Sequence, residues 1–260
     1  KYNIVTFKVI LSIMKVTLIT VVYNCQDFIE HCILSVILQD YPDLEYIVID
    51  GSSSDDTGNI INRYIDHIDY YLSEPDHGMY DALNKGIAAS TGDLIGVLNS
   101  DDYLVEQSII SQLVGELLSH NADAVYGNLN YVKRTDKDVI KRKWRSNHFH
   151  RKDFERGWMP AHPTLFIRKQ YFQSYGGYAL HLGTAADYEL ILRMLYKHRL
   201  NAVFLDKLVV HMRTGGVSNK NYKSLYLAAI NDYRAMVYNE IPLPMLALLG
   251  KKLRKLKQFL

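Results

Sequence analysis

Cysteine is nearly absent. Cys25 and Cys32 are the only two among 260 residues, and neither stands in a CxxC or Cys/His metal spacing. A disulfide scaffold is excluded, and the chain reads as a reduced, cytoplasmic protein. Proline is also scarce, at 6 residues; with 48% hydrophobic and 22% charged residues, collagen-like and disordered chains are excluded. A formal net charge of +2 gives no reason to expect a nucleic-acid partner, so any basic surface must be local. Internal repeats and low-complexity linkers are missing too. Residues 1–13 are apolar with two lysines, but fall short of the roughly 20 residues of a membrane span. No small-residue cleavage site follows, so they read as a leader or appended segment. The abundant residue is tyrosine, at 20 copies. Such side chains serve as stacking platforms for sugars or bases, or as packing residues with a polar tip.

A chain of this length buries one sizeable core, so the expectation is one α/β unit. Val16 to Val22 is a short apolar, β-branched run, as for a strand covered on both faces. Asp27 to Leu38 has helical spacing, and a second strand covers Glu45 to Ile49. The polar turn Ser52 to Thr57 suits a helix start, with the helix continuing through Tyr64. A strand near Tyr70 to Leu72, a helix over Met79 to Ala89 and a strand over Leu94 to Leu98 continue the alternation. That order predicts a parallel sheet with right-handed crossovers, in which ligands gather at the carboxyl ends of the strands. Beyond Tyr103 the pattern loosens. A helix is expected near Gln107 to Ser119, with extended segments at Ala124 to Val132 and Val139 to Trp144. A loop over Asn147 to Pro163, a helix over Asp187 to His198, a strand over Ala202 to Val210 and a helical tail over Leu243 to Leu260 follow.

Polar clusters sit at the predicted strand ends. Asn99-Ser100-Asp101-Asp102 follows directly on an apolar strand, and such oxygen ligands suit Mg²⁺ or Mn²⁺, with phosphates and water completing the shell. The competing role is a helix N-cap. Thr20-Val21-Val22-Tyr23-Asn24, Asp50-Gly51-Ser52-Ser53 and Glu74-Pro75-Asp76-His77-Gly78 end the preceding strands, so several strand ends address one crevice.

Four stretches, in order, carry a resemblance. They are Ile19 to Asn24, Val48 to Thr57, Ser73 to Gly86 (SEPDHGMYDALNKG) and Gly92 to Asp102. The chain resembles glycosyltransferase family two, with the GT-A fold, in its bacterial surface-polysaccharide branch, over Met14 to about Gly216. The resemblance implies a Rossmann-like, mainly parallel central sheet flanked by helices. It divides the chain into a nucleotide-sugar-binding half at 14–103, an acceptor-binding half at 104–218 and a helical basic tail at 219–260.

The resemblance also implies roles. Thr20 and Val22 line the base site, Asp50 accepts from the base edge, and Asn24, Ser52, Asn99 and Ser100 face the same donor nucleotide. Asp101 coordinates a Mn²⁺ or Mg²⁺ bridging the donor's phosphates, helped by Asp102, and His211 gives a third metal or diphosphate contact. Lys85 and Asp76 face the nucleotide or, like Asp81, serve as solvated or helix-capping residues. Two departures are plain: Asn99 stands where the family commonly has Asp, and Ile49-Asp50-Gly51-Ser52 stands for Asp-Asp-Gly-Ser. Thr184 to Arg193 resembles the family's Glu-Asp motif, with Ala186 for the Glu and Asp187 retained. Asp187 is then the base that takes the acceptor hydroxyl proton, or else an N-cap.

His162 is a weaker candidate for lining the acceptor pocket and Trp158 for stacking on a sugar ring, with packing as the alternative for each and for His211, and the loop Arg213 to Ser218 is a candidate for closure over the diphosphate. The implied reaction is inverting transfer from a nucleoside diphosphate sugar, a UDP-sugar by expectation, to a glycan or lipid-linked acceptor hydroxyl. Two alternatives are a sugar-nucleotide nucleotidyltransferase and a non-catalytic nucleotide-sugar or glycan-binding module. The first lacks its glycine-rich loop, since Val22 to Gln26 contains no glycine. The lysine-punctuated tail from Leu243 reads either as a peripheral contact with an anionic membrane at the inner face or as a solvated terminal helix.

Overall fold

The computed structural model describes residues 14–215 and 222–258. Segment 1–13, the end of the loop at 216–218 and the last two tail positions lie outside the described residues. The first half alternates as expected: β1 (Val16–Val22), α1 (Ile29–Ile37), β2 (Leu44–Asp50), α2 (Thr57–Asn62), β3 (Tyr70–Ser73), α3 (Met79–Ala89) and β4 (Leu94–Asn99). The second half contains β5 (Tyr103–Leu104), α4 (Ile109–Ser119), β6 (Ala124–Lys133), β7 (Asp136–Trp144), α5 (Arg151–Phe154), β8 (Phe166–Arg168), α6 (Lys169–Tyr175), α7 (Ala186–Ile191), β9 (Ala202–Arg213), α8 (Tyr222–Tyr238) and α9 (Pro244–Lys257).

One nine-stranded sheet has the order β3-β2-β1-β4-β8-β6-β9-β5, with β7 pairing off β6. The first four strands are all parallel, and β8 then joins β4 antiparallel. Every residue of β1 is buried, because the side-chain period of two sends alternate residues into two cores, one on each face. Ile19 and Val21 join Ile47, Ile49, Ile95 and Val97 beneath α3 and the C-terminal helices. Val16, Leu18 and Val22 join Tyr46, Val48, Leu94 and Leu98 beneath α1 and α4. Gly96 of β4 lets the ring of Phe166 from β8 lie directly on the backbone, where a Cβ would overlap it.

Several elements go beyond the sequence reading. The helix after Ser52 to Thr57 stops at Asn62 and gives way to a 3₁₀ turn at Ile65–His67. β5 and β8, of two and three residues, are too short to show any period. The short helices α5 and α6 were not expected, whereas α8 lies within the helical tail expected over 219–260. The helix beginning at Ala186 runs into a π-helical turn at Leu192–Lys197. Strand β9 runs on past Val210, and so brings His211 and Arg213 into the sheet.

At the opposite end of the sheet from the polar strand ends, Glu45 is 5% exposed. It accepts hydrogen bonds from the Thr17 and Thr91 hydroxyls and the Thr91 N–H, and Lys15 Nζ lies 3.0 Å away.

Candidate active site

The carboxyl ends of β1 and β2 are held by unusual backbone. Asn24 and Ser52 adopt φ of 48° and 61°, a left-handed conformation that non-glycine residues take when surrounding contacts impose it. Here Asn24 Oδ1 accepts from Ser54 N at 2.8 Å, and Asn24 N donates to Ser53 Oγ at 2.9 Å. The two loops are thereby locked together. Asp50, 2% exposed, accepts from Ser53 N at 3.1 Å, from Ser53 Oγ and from Ser73 Oγ at 2.6 Å. A carboxylate has about four lone-pair sites, so three donors leave one.

Thr20 and Val22 are buried; the Thr20 hydroxyl accepts from Tyr46 Oη at 3.2 Å, and the Val22 carbonyl accepts from Gly51 N at 2.9 Å, which ties the end of β1 to the loop after β2. Gly51 makes room for Asp76: a Cβ there would sit 2.5 Å from Asp76 Oδ2. The other Asp76 oxygen accepts from Gly78 N at 2.7 Å. Lys85 braces the loop after β3. It pairs with Glu74 at 2.7 Å, donates to the Pro75 carbonyl at 3.0 Å, and lies 3.9 Å from Asp81. Tyr23, 65% exposed beside Gly51, is an aromatic face at this mouth that sequence reasoning passed over. Its signal was an aromatic at a strand's end.

The four residues after β4 divide their work. Asn99 Nδ2 donates to Asp102 Oδ2 at 2.8 Å, and Arg213 N donates to Asp102 Oδ1 at 3.0 Å. Asp102 is fully buried, and burial together with the Asp101 charge pushes its carboxyl up to about 8. Ser100 is buried, its side chain against the Cys25 thiol. Asp101 is the partly exposed carboxylate: Arg134 Nη1, from the β6–β7 turn, pairs with its Oδ2 at 2.8 Å.

The Arg134 guanidinium lies 4.2 Å over the Phe28 ring, and Arg213 lies 4.9 Å from the same ring. Arg213 donates to the Asp101 carbonyl and, at 2.8 Å, to His31 Nδ1, which burial and the Arg213 charge keep neutral. His211 stacks on Tyr103 at 5.0 Å, and its buried Nδ1 has no hydrogen-bond partner. Burial and Arg213 likewise lower the His211 pKa, leaving a neutral imidazole. Phe28, His31 and Arg134 carry no motif signal, since the β6–β7 turn reaches this site only through the sheet.

These groups fit a divalent cation in part. Asp101 already attracts a cationic group, and His211 offers an unused ring nitrogen, the kind of group metals take. Among the described residues no three His, Cys, Asp or Glu side chains form a metal cluster, so a bound cation would need phosphates and water for most of its shell.

Asp187 opens α7. Its Oδ1 accepts from Tyr188 N at 2.7 Å, so the N-cap alternative is answered by a short bond to the adjacent residue and not by a capped third residue. The Tyr80 hydroxyl of α3 lies against Asp187; burial raises its pKa strongly and the Asp187 charge adds to this. Tyr178 stacks on Tyr80 at 5.4 Å, and its hydroxyl meets His162 Nε2 at 2.8 Å. Burial holds His162 neutral, with the Asp187 charge opposing.

Asn84 of α3 fixes Tyr178, donating to its carbonyl at 2.9 Å and accepting from its N–H at 2.7 Å. Tyr131 of β6 lies within electrostatic reach of both Asp102 and Asp187, and both raise its pKa alongside burial. Trp158 is 5% exposed and packed among Tyr126, Phe149 and Phe154, with Nε1 donating to Asn147 Oδ1 at 2.9 Å. It is a core residue.

Comparison with known proteins agrees with this architecture. A glycosyltransferase of Mycobacterium tuberculosis of uncharacterized activity is 32% identical over 180 residues, 68% of each chain. A PGL/p-HBAD biosynthesis glycosyltransferase of Mycobacterium bovis is 28% identical over 196 residues, 72% of this chain and 73% of the relative. In fold the chain resembles S. aureus TarS residues 1–349 in complex with UDP-GlcNAc, with a TM-score of 0.64 at 17% identity, covering 87% of this chain and 70% of that one. It spans 42% of the longer TarS structure. The mannosyltransferase PcManGT of Pyrobaculum calidifontis, in complex with GDP-Man and Mn²⁺, aligns with a TM-score of 0.61 at 18% identity over 92% of this chain and 69% of that one. The family model for Glycosyl transferase family 2 matches residues 17–176, and with an α/β sheet whose parallel strands carry polar residues at their carboxyl ends, this chain belongs to that glycosyltransferase family.

Proposed function

We propose that this transferase moves a sugar, with inversion, from a UDP-sugar to a hydroxyl of a growing surface glycan, with Asp187 as the base. The observation that carries this reading is Asp187 itself. It is a half-buried carboxylate against the Tyr80 hydroxyl, and the Tyr80–Tyr178 stack is fastened by Asn84 to the helix that follows the third strand end. Family membership sets aside the nucleotidyltransferase alternative, and an intact carboxylate at this place argues against a binding module.

In the reaction the acceptor oxygen bonds to the anomeric carbon as the bond from that carbon to the diphosphate oxygen breaks. The hydroxyl proton passes to Asp187, and the nucleoside diphosphate leaves on the opposite face. Asp50 keeps one lone-pair site for a ring N–H such as that of uracil, and the Thr20 and Val22 main chain borders the base. Tyr23 offers the base a stacking face. Asp101 and His211 are the groups that would hold Mn²⁺ or Mg²⁺, which when bound offsets the charge growing on the diphosphate. Asp102 acts through them as a positioning residue, fixing Asn99 and the Arg213 main chain. The halves at 14–103 and 104–218 are proposed as donor and acceptor sides.

The test is a thermal-unfolding screen with UDP-, GDP- and TDP-sugars, with and without Mn²⁺, followed by transfer assays. Asp187→Asn should keep the donor-induced shift and lose transfer by about 10²–10⁴-fold. Asp101→Ala should lose the Mn²⁺-dependent part of the shift. Full transfer by Asp187→Asn would assign the base elsewhere, and protection by GDP- or TDP-sugars alone would overturn the UDP assignment.

A further inference from the structure

The last helix is packed with its apolar side outward. Toward the protein α9 presents Ala247, fully buried, Leu248, half-buried against the core, and Gly250, whose missing Cβ would overlap the Arg156 carbonyl. Lys251 also turns inward, pairing with Asp232 of α8 at 2.7 Å and lying 3.6 Å over the Tyr188 ring. Arg254 donates to the Arg156 carbonyl at 3.3 Å. Toward solvent the helix presents Met245, Leu246, Leu249, Leu253 and Leu256, each between 54% and 66% exposed. At the helical rotation per residue these five share an arc of about 100°. Lys252 borders the arc and is exposed, whereas Lys255 lies further round the helix, beside Lys251, where burial and the Arg142 and Lys251 charges lower its pKa. Leu243 and, on α8, Tyr226, Leu227, Val237 and Tyr238 are more than half exposed as well.

A helix that merely covers its own core turns its leucines the other way, and apolar surface gathered like this marks an interaction site. Among the described residues no helix is long and apolar enough to cross a membrane. The remaining geometry is a helix lying in the plane of an interface. We propose that α9 docks on an anionic lipid surface, its leucines entering the acyl boundary while Lys252 meets the phosphates of the headgroups. Charge complementarity selects this occupant. In a symmetric pairing with a second copy, Lys252 beside one leucine stripe would meet Lys252 of the other. Docking there brings the crevice to acceptors carried on lipid, and it stands apart from the chemistry proposed for Asp187.

The full chain is mixed with phosphatidylcholine vesicles with and without phosphatidylglycerol and separated by flotation. Binding should rise about tenfold with the anionic lipid and fall as salt is added. The Leu249→Glu/Leu253→Glu variant should lose vesicle binding, and Lys252→Glu should lose its preference for phosphatidylglycerol. Both should keep the wild-type melting temperature and donor-induced thermal shift, since the altered side chains face solvent. Undiminished vesicle binding by the leucine variant, or none by the wild type, overturns the proposal. So does a concentration-dependent dimer in sedimentation velocity that the leucine variant abolishes, because the stripe then belongs to a second copy.

Discussion

Replacing Glu45 by Gln should make the protein's stability lose a specific part of its dependence on acid. Burial by itself would raise this carboxyl, but the Thr17 and Thr91 hydroxyls, the Thr91 N–H and Lys15 outweigh it and hold the pKa down at about 2, against an ordinary 4.5. The Lys15 ammonium shifts in the matching direction, raised by the same contact. A separation of roughly 2.5 units at 1.36 kcal/mol per unit corresponds to about 3 kcal/mol.

The folded-state pKa is depressed, so this contribution is fully present above pH 4.5 and drains away as pH falls through 2. Glutamine keeps the size and one acceptor, but turns an amide N–H₂ toward donors that need oxygen. Urea unfolding followed by circular dichroism should therefore place Glu45→Gln about 3 kcal/mol below wild type at pH 7. That is roughly 1 M in midpoint for a slope near 3 kcal/mol/M. The gap should close progressively between pH 4.5 and 2. A gap that stays constant over that range, or one below about 1 kcal/mol at pH 7, would refute the assignment of the stabilisation to the charge on Glu45.

Glu189→Ala should be among the most damaging substitutions. Arg193 makes two 2.9 Å bonds to Glu189 and also donates to the carbonyls of Tyr175, Gly176 and Gly177, so removing the carboxylate strands a buried guanidinium. The loss should be about 3–5 kcal/mol by calorimetry, and replacing both partners by Met should recover most of it. Gly96→Ala forces a methyl group into the ring of Phe166 and should lower stability by about 1–3 kcal/mol in thermal unfolding. Pairing it with Phe166→Leu should return part of the loss.

Much of this molecule was legible from local pattern. The buried runs of β1, β2 and β4, the helices between them and the polar residues at their ends are set by side-chain period and turn chemistry within a few residues, and they emerged where expected. The ordered motifs named the family because each is contiguous in the chain. Side-chain partnership was not legible in this way. Asp101 and Asp102 are neighbours of the same type, yet one faces Arg134 at the crevice and the other is sealed beneath Asn99 and the Arg213 main chain. Only the pairing of β5, β6 and β9 decides which is which.

Tyr80, Asn84, Tyr178 and Asp187 meet across about a hundred residues of sequence, through packing that has no local signature. The tail shows the same division most sharply. Its alternating leucines and lysines specify an amphipathic helix and leave open which face turns inward. Ala247, Gly250 and Lys251 fit against Arg156 and Tyr188, and that steric fit is what leaves the leucines facing out.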